Sequence, residues 1–170
     1  NPFLIRTAAD MVNLANSLNE NYDALGVYYL VSSDVQELDL TKVGFIPIGT
    51  SDTPFRGFFD GNYTNFNVNI NQPTLDYQGL FGYASSESII SRLSVSGNIA
   101  GNNYVGAIAG YSAGEITDIY SYANISGKNN IGGLVGKNEG TLRLGYATSN
   151  VSAEGEYVGG IIGYNTGIAE

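Results

Sequence analysis

The chain has 170 residues, of which 16 are acidic and 7 are basic, and its formal net charge is −9. This charge opposes contact with nucleic-acid backbones and anionic lipid surfaces, so we expect neither as a partner. The chain contains no cysteine and no histidine, which removes disulfides, thiolate metal sites, and the commonest general base and metal ligand.

Apolar stretches are short and interrupted by glycine, and none approaches the roughly 20 residues that a membrane-spanning helix needs. We therefore expect no insertion into a membrane. The composition, with 23 glycines, 13 tyrosines and no cysteine, is typical of secreted bacterial surface proteins and predicts an extracellular, cell-surface location. The chain opens on Asn1 without a methionine and closes at Glu170 shortly after a repeat, so we expect a fragment of a longer protein.

The first predicted element is a helix over residues 8–18. Thr7 is a good N-cap residue, and Asp10 follows three positions later, as in a capping box. Apolar residues recur at helical spacing at Met11, Leu14, Ala15 and Leu18. An array of stacked strands leaves unpaired backbone groups at an open end, so we expect this helix to cap one end of such an array.

Irregular strand segments follow the helix. Residues 28–31 (YYLV) predict a strand, and residues 45–49 (FIPIG) predict a short strand broken by Pro47. The Asp60-Gly61 pair predicts a turn, whereas residues 66–70 (FNVNI) alternate as a half-buried strand does. We assign 1–54 to a helical cap with irregular first turns and 55–170 to repeated coils, all within one domain.

The rest of the chain repeats one short unit. The motif VGAIAG at 105–110 returns as IGGLVG at 131–136 and VGGIIG at 158–163, and YQGLFG at 77–82 is a looser copy. Apolar positions recur at an interval of about 26 residues, as in the series Ile90, Ile116, Leu142 and the series Ile99, Ile125, Val151. The interval between Gly132 and Gly159 is longer by a single residue, which falls in the loop at 153–157. Insertions confined to loops are typical of solenoids.

These repeats predict an all-β, right-handed parallel β-helix with coils of about 26 residues. Strands are expected at 107–111, 116–121 and 124–126, three in each coil, with Ile108, Leu134 and Ile161 stacked in the interior. Glycines bracket the first of these strands, where a corner needs positive φ or a close approach of backbones. A helical solenoid is disfavoured by the density of glycine and β-branched residues.

Residues 132–141 (GGLVGKNEGT), followed by YAT at 146–148 and VS at 151–152, resemble the GLUG motif. Residues 106–125 and 159–167 match the motif less fully, and residues 55–62 (FRGFFDGN) resemble its usual lead-in, with Tyr63 where glycine often follows. The resemblance covers about 47–167. It implies a β-helical domain of bacterial surface proteins such as adhesins and the non-catalytic regions of IgA-specific metallopeptidases.

Two polar or aromatic series are candidate sites. Asn98, Asn124 and Asn150 predict an internal ladder of hydrogen-bonded amides, with a ligand-binding ladder as the alternative. Tyr120 and Tyr146 are separated by the same repeat interval, with Tyr122 nearby, and they are candidate ligand-binding residues that could stack on sugar rings or a partner. The alternative is an aromatic stack that only covers the surface. Tyrosine also follows the last glycine of the repeated strand, at Tyr83, Tyr111 and Tyr164.

No catalytic residue, metal site or cofactor is expected. Acidic residues at 34, 39, 52 and 60 fit turns better than a calcium loop. Glu115, Asp118 and Glu139 could supply a carboxylate pair, as in β-helical polysaccharide enzymes, but no two acidic positions of the regular repeats are separated by the repeat interval.

We therefore predict a non-catalytic extracellular adhesion or scaffold module of a bacterial cell-surface protein. One alternative is a glycan-binding module that uses the outward tyrosines. The other is an assembly subunit that docks through its open last coil, near 161–168. The expected partner is accordingly a surface protein or glycan of a host or neighbouring cell, or a second copy of the chain.

Overall fold

The computed structural model describes residues 1–170 and shows a parallel β-solenoid of about six coils, where a coil is one full turn of the chain around the axis. The first part contains β1 (Phe3–Ile5), α1 (Ala8–Asn19), β2 (Tyr28–Val31) and β3 (Glu37–Asp39). The next two coils contain β4 (Phe58–Asn71), β5 (Phe81–Ala84), β6 (Ile89–Ala100), β7 (Asn103–Val105) and β8 (Ala109–Ser112). The following coil contains β9 (Glu115–Ser121), β10 (Asn124–Gly127), β11 (Asn129–Gly132) and β12 (Val135–Asn138). The last contains β13 (Thr141–Ala147), β14 (Asn150–Ala153), β15 (Val158–Gly159) and β16 (Ile162–Asn165), with β17 (Ile168–Ala169) after it.

Every strand pair is parallel, and the strands form three sheets along the axis. The largest follows the order β1-β2-β4-β6-β9-β13-β17, the second is β15-β11-β7, and the third is β16-β12-β8-β5. The register confirms the spacing expected from the sequence, because Ile116 pairs with Ile90 on one side and Leu142 on the other. Each sheet therefore carries columns, which are sets of equivalent positions in successive coils about 4.8 Å apart.

The core is made of inward-facing columns. Ile108 and Leu134 are fully buried one above the other, and Ile99 and Ile125 form a second buried column. The last coil is more open, because no coil covers its outer side. Ile161 is 37% exposed and Val158 is 48% exposed, although their counterparts in the preceding coil are fully buried.

The helix prediction is confirmed, since α1 extends only one residue beyond the expected end. The Thr7 hydroxyl accepts a hydrogen bond from the Asp10 N–H, and the Asp10 carboxylate accepts one from the Thr7 N–H, which completes the capping box. The buried face of α1 packs on the N-terminal end of the core. At its C-terminal end, the Asn19 side chain donates to Pro47 O and accepts from Gly49 N–H, which ties the loop at 45–51 to the helix.

Two local predictions from the N-terminal half are wrong. Residues 45–49 do not form a strand and contribute only an isolated bridge between Ile48 and Phe81. The Asp60-Gly61 pair does not form a turn but lies inside β4, where the register with β6 shifts between Asp60 and Thr64. The bend there is made by Asn62 and Tyr63, which have positive φ, so the strand changes direction without ending.

The repeated motif is a strand, a turn and a second strand rather than the single strand expected over 107–111. In VGAIAG, Val105 ends β7, Ala107 and Ile108 form the turn, and Ala109 begins β8. A full coil therefore contains four strands instead of three. The expectation was wrong because a short apolar segment with flanking glycines has the same pattern whether it is a strand or a tight buried turn.

The motif glycines allow backbones to approach closely, and they do not supply positive φ. A Cβ on Gly110 would lie 2.6 Å from Tyr104 O and 2.7 Å from Tyr77 Cα. The left-handed conformation is instead found in two columns of other residues. One contains Tyr77, Tyr104, Asn130 and Tyr157, and the other contains Tyr63, Arg92, Asp118 and Leu144.

We expect Gly110→Ala to lower the free energy of unfolding by about 1–3 kcal/mol, because its Cβ would meet backbone atoms that cannot turn aside. Gly160→Ala is the matched control from another copy of the motif. A Cβ on Gly160 would meet nothing within 4 Å, so this variant should be neutral or slightly more stable. Urea denaturation of both variants checks the prediction, and equal effects would contradict the close-approach role of Gly110.

Candidate functional site

The largest cavity is a cleft of 460 Å³ on the N-terminal half of the solenoid. One wall is the loop at 45–51, and the other is the connection from the end of β4 to the start of β5, at 69–78. The cleft exists because the second sheet does not continue to this end. Gln78 pairs with Val105 in the following coil, but no residue of the preceding coil pairs with it.

Gln78 is the buried polar residue of the cleft. Its side chain occupies the inward column that continues as Val105, Ile131 and Val158, so an amide replaces an apolar group here. Gln78 is only 5% exposed, and its Nε2 donates to Asp76 O at 2.8 Å. Its Oε1 is buried and has no hydrogen-bond donor. An unpaired buried acceptor of this kind costs about 1–3 kcal/mol.

The remaining lining combines uncharged polar groups with two aromatic rings. Exposed amide side chains are provided by Asn69, Asn71 and Gln72, and the rings are those of Phe45 and Tyr77. Asp76 is the one ionisable acid in the lining, and no lysine or arginine is present. The Asp76 Oδ1 already accepts three hydrogen bonds, from the Asn102 side chain and from the backbone and side chain of Asn103.

Tyr77 also begins a second surface feature, which we call the tyrosine face. This face consists of two adjacent columns along the axis, with Tyr77, Tyr104 and Tyr157 in one and Tyr83, Tyr111 and Tyr164 in the other. The Tyr77 and Tyr104 rings stack at 4.9 Å with an interplanar angle of 6°, and those of Tyr83 and Tyr111 stack at 4.1 Å. Four of the six tyrosines of this face therefore stack on another tyrosine ring.

One coil interrupts the tyrosine face with Asn130 and Lys137. The Lys137 ammonium lies 5.7 Å from the centroids of both the Tyr111 and Tyr164 rings, a cation–π contact on each side. Lys137 also forms an ion pair with Glu139, and this contact raises the pKa of Lys137 and lowers that of Glu139. Burial and the hydrogen bond to Glu139 raise the pKa of Tyr111. These groups hold one another in place.

The asparagine series lies on the outer surface, so its expected internal position was wrong. The Asn124 side chain donates to Asn98 Oδ1 at 3.0 Å, and the Asn150 side chain donates to Asn124 Oδ1 at 2.9 Å, while all three residues remain exposed. The asparagine side chains point outward because they alternate with the inward column of Ile99, Ile125 and Val151, of which the first two are buried and the last is half-buried. A buried amide does occur elsewhere, at Asn138, whose side chain donates to the exposed Asn165 at 2.8 Å.

The structure places two of the three candidate tyrosines next to each other, but it does not form a stacked surface from them. Tyr120 and Tyr146 are paired in register on the outer face of the largest sheet, but their rings make no stacking contact. Tyr122 lies in the link between β9 and β10 and is 55% exposed. The column contains Ser94 in the preceding coil, so it is only two tyrosines long. The stacked tyrosines are instead those of the tyrosine face.

Most of the acidic residues considered for catalysis or calcium have local partners. Glu115 lies 3.9 Å from Arg143, Glu139 pairs with Lys137, and the Asp39 carboxylate accepts from the Thr41 N–H and hydroxyl. No group of three acidic side chains is close enough to share a metal ion. Asp60 is the most buried carboxylate, and it accepts hydrogen bonds from Arg92, from Tyr28 OH and from the Asn62 N–H.

The sequence-based predictions did not include Gln78 or the first column of the tyrosine face. Tyr77, Tyr104, Asn130 and Tyr157 all stand two positions before the first glycine of their repeat, so aligning that position would have found the column. In the same alignment Gln78 stands where the other copies have valine or isoleucine. A polar residue at a position that is apolar in the other repeats is the sequence feature that would have identified Gln78 as unusual.

The chain is similar to two curated proteins. It is 33% identical over 130 residues to a protein of Evansella cellulosilytica described as a Gly-rich membrane protein, a match that covers 70% of this chain and 14% of that protein. It is 27% identical over 132 residues to halomucin of Haloquadratum walsbyi, which covers 69% of this chain and 1% of halomucin. The chain thus spans a small part of either relative.

No family model matches the chain, and no solved structure matches it. The resemblance to the GLUG motif therefore stays a prediction. The structure contains no helix long and apolar enough to cross a bilayer, since α1 has 12 residues.

Asp60 and its hydrogen-bond donors predict that the fold loses stability in acid. Burial alone would raise the pKa of Asp60, but hydrogen bonds from Arg92 and the Asn62 N–H outweigh it and hold the pKa below its ordinary value. A lowered pKa stabilises the fold above the unfolded value of about 4, and this stabilisation is lost as pH falls through the folded value. Asp60→Asn should lower stability near neutral pH by about 1–3 kcal/mol and flatten its decrease below about pH 4.

Thermal unfolding across a pH series measures both effects. Asp52→Asn is the control, because Asp52 is exposed and its carboxylate accepts no hydrogen bond. An Asp60→Asn curve parallel to that of the unmodified chain would show that Asp60 does not contribute to acid sensitivity.

Proposed function

We propose that this chain is a non-catalytic solenoid segment of a cell-surface protein, where it acts extracellularly as an adhesion or scaffold module. The observation that carries the proposal is the regular stack of coils from β6 to β16, in which the same backbone pairing recurs once in every coil. Each coil adds about 4.8 Å of length, so a stack of this kind holds distant parts of a protein apart as a rigid spacer.

The outer surface supports a structural role. The exposed Asn98, Asn124 and Asn150 side chains bond to one another along the axis. A second ladder continues from Asp76 through Asn103 and Asn129 to the Glu156 N–H. Polar groups in these ladders hold successive coils in register. The net charge of −9 also favours solubility and opposes aggregation, which suits an extracellular location.

The relatives support the same setting. One is described as a membrane protein and the other is halomucin, and each is far longer than the matched segment. The regular coils of this chain, without a buried pair of unpaired carboxylates, are consistent with a non-catalytic module inside a long surface protein. The GLUG-like residues at 132–141 point to the same class of protein.

Surface exposure is tested by labelling cells of the source organism with an antibody raised against this chain. We expect intact cells to be labelled as strongly as permeabilised cells. An antibody against a cytoplasmic protein is the control and should label only permeabilised cells. Labelling of this chain that appears only after permeabilisation would contradict the proposal.

A further inference from the structure

We propose that Tyr83 and Tyr111 are a site of oxidative modification, at which a one-electron oxidant joins their stacked rings in a dityrosine bond between neighbouring coils. The oxidant is a haem peroxidase supplied with hydrogen peroxide. The bond would tie β5 to β8 covalently, in a chain that has no cysteine for a disulfide. The inference concerns a modification of the solenoid and does not depend on the proposed place of the chain on a cell surface.

The two rings are already close enough for coupling. Tyr83 and Tyr111 are paired in register on parallel strands, so their side chains leave the backbone in the same direction. Their ring centroids are 4.1 Å apart and their planes differ by 21°, whereas the other stacked tyrosine pair has a separation of 4.9 Å. Equivalent carbon atoms of the two rings therefore lie close together, which favours coupling within one chain over coupling between chains.

Tyrosine is the accessible side chain of this chain that such an oxidant attacks. Cysteine, tryptophan and histidine do not occur, and the one methionine, Met11, is fully buried. Tyr83 and Tyr111 are both half-buried, so their phenols are partly accessible. Ring contacts continue from Tyr83 to Tyr77 at 5.3 Å, and from Tyr77 to Tyr104 at 4.9 Å. A radical formed on either of these rings can therefore reach the closest pair by electron transfer between rings in contact.

One molecule of hydrogen peroxide balances the step. Each phenol loses one electron and one proton, and the peroxide takes up both electrons and both protons to give two molecules of water. The two tyrosyl radicals then form a carbon–carbon bond ortho to each hydroxyl, and the hydrogen on each bonded carbon moves to the oxygen of its own ring. Tyr111 OH donates to the Glu139 carboxylate at 2.6 Å, so this carboxylate accepts the Tyr111 proton as the electron leaves.

The surroundings of Tyr111 restrict it to one coupling partner. The Lys137 ammonium lies 5.7 Å from the centroids of both the Tyr111 and Tyr164 rings, and it separates these two tyrosines. Tyr120 and Tyr146 offer a contrast within the same chain, because they are paired in register and Tyr146 is 54% exposed, but their rings do not stack. Register and exposure are therefore present at both pairs, whereas stacking is present only at Tyr83 and Tyr111.

The test is oxidation of the dilute chain with a plant haem peroxidase and hydrogen peroxide, followed by denaturation, trypsin digestion and mass spectrometry. Trypsin places Tyr83 in the peptide 57–92 and Tyr111 in the peptide 93–128. We expect these peptides to be joined, with a mass lower by two hydrogen atoms than their sum, and fragmentation should place the bond between Tyr83 and Tyr111. The absence of this product, or an equal amount of 93–128 joined to 144–170 through Tyr146, would overturn the proposal.

Tyr83→Phe keeps the ring and removes the phenol. We expect this variant to lose the joined peptide while keeping a melting temperature close to that of the unmodified chain. Tyr120→Phe is the matched control, because it removes a phenol that is paired in register but not stacked, and it should form the joined peptide in full. A cross-link that persists in Tyr83→Phe, or that disappears in Tyr120→Phe, would contradict the assigned site.

The cross-link should also stabilise the stack of coils, because it closes a loop of the unfolded chain as a disulfide does. We expect the purified cross-linked chain to melt about 5 °C or more above the untreated chain. Tyr83→Phe taken through the same oxidation is the control and should show no rise. An unchanged melting temperature in the cross-linked chain would contradict a role as a tie between coils.

Glu139→Gln tests the path of the proton. It removes the carboxylate that accepts from Tyr111 OH, so dityrosine fluorescence should develop about tenfold more slowly, with the same joined peptide as product. An equal rate would overturn the assigned proton acceptor. All of these results are independent of the surface-labelling experiment, because the coupling is measured on the purified chain.

Discussion

Each coil pairs in parallel with the next in a constant register, and this pairing fixes which side chains lie next to one another. In such a stack, equivalent positions of neighbouring coils are about 4.8 Å apart. The side chains of one column must therefore be able to pack against one another or bond to one another. Apolar columns meet this condition by packing in the interior. Asparagine meets it on the surface, because its amide is both donor and acceptor and can bond to another asparagine above it.

Charged side chains satisfy the same condition by pairing with opposite charges in neighbouring coils. Arg143 stands between Glu115 in one coil and Glu170 beyond the next, and Arg92 reaches the buried Asp60. Lys137 separates Tyr111 from Tyr164 and also contacts Glu139. Equal charges stacked at this distance would repel, which explains why acidic residues of the regular coils do not recur at the repeat interval. The same spacing makes tyrosine favourable, because stacked rings attract one another.

The repeat also explains where a cleft can form. Between β8 and β12 every strand is paired on both sides, and the inward-facing apolar residues are buried, which leaves little enclosed space. The pattern weakens toward the N-terminal end, where β4 shifts register and the loop at 45–51 replaces a strand. The cleft occupies this place, and Gln78 interrupts its apolar column at the same coil. Regular coils thus supply rigidity, and the irregular coil supplies the recess.

The solenoid, the register of its coils, the two apolar columns and the capped helix could all be predicted from the residues, because each depends on local spacing and on repetition. The side of a strand on which each polar column lies could not be predicted in this way. In the folded chain the asparagine ladder lies outside, and the Tyr77 column lies beside Tyr83. The tertiary structure also showed that VGAIAG bends, with its glycines set against backbone atoms of neighbouring strands and its left-handed corner at Tyr104. These features depend on contacts between coils and between sheets, which the order of residues along one chain does not specify.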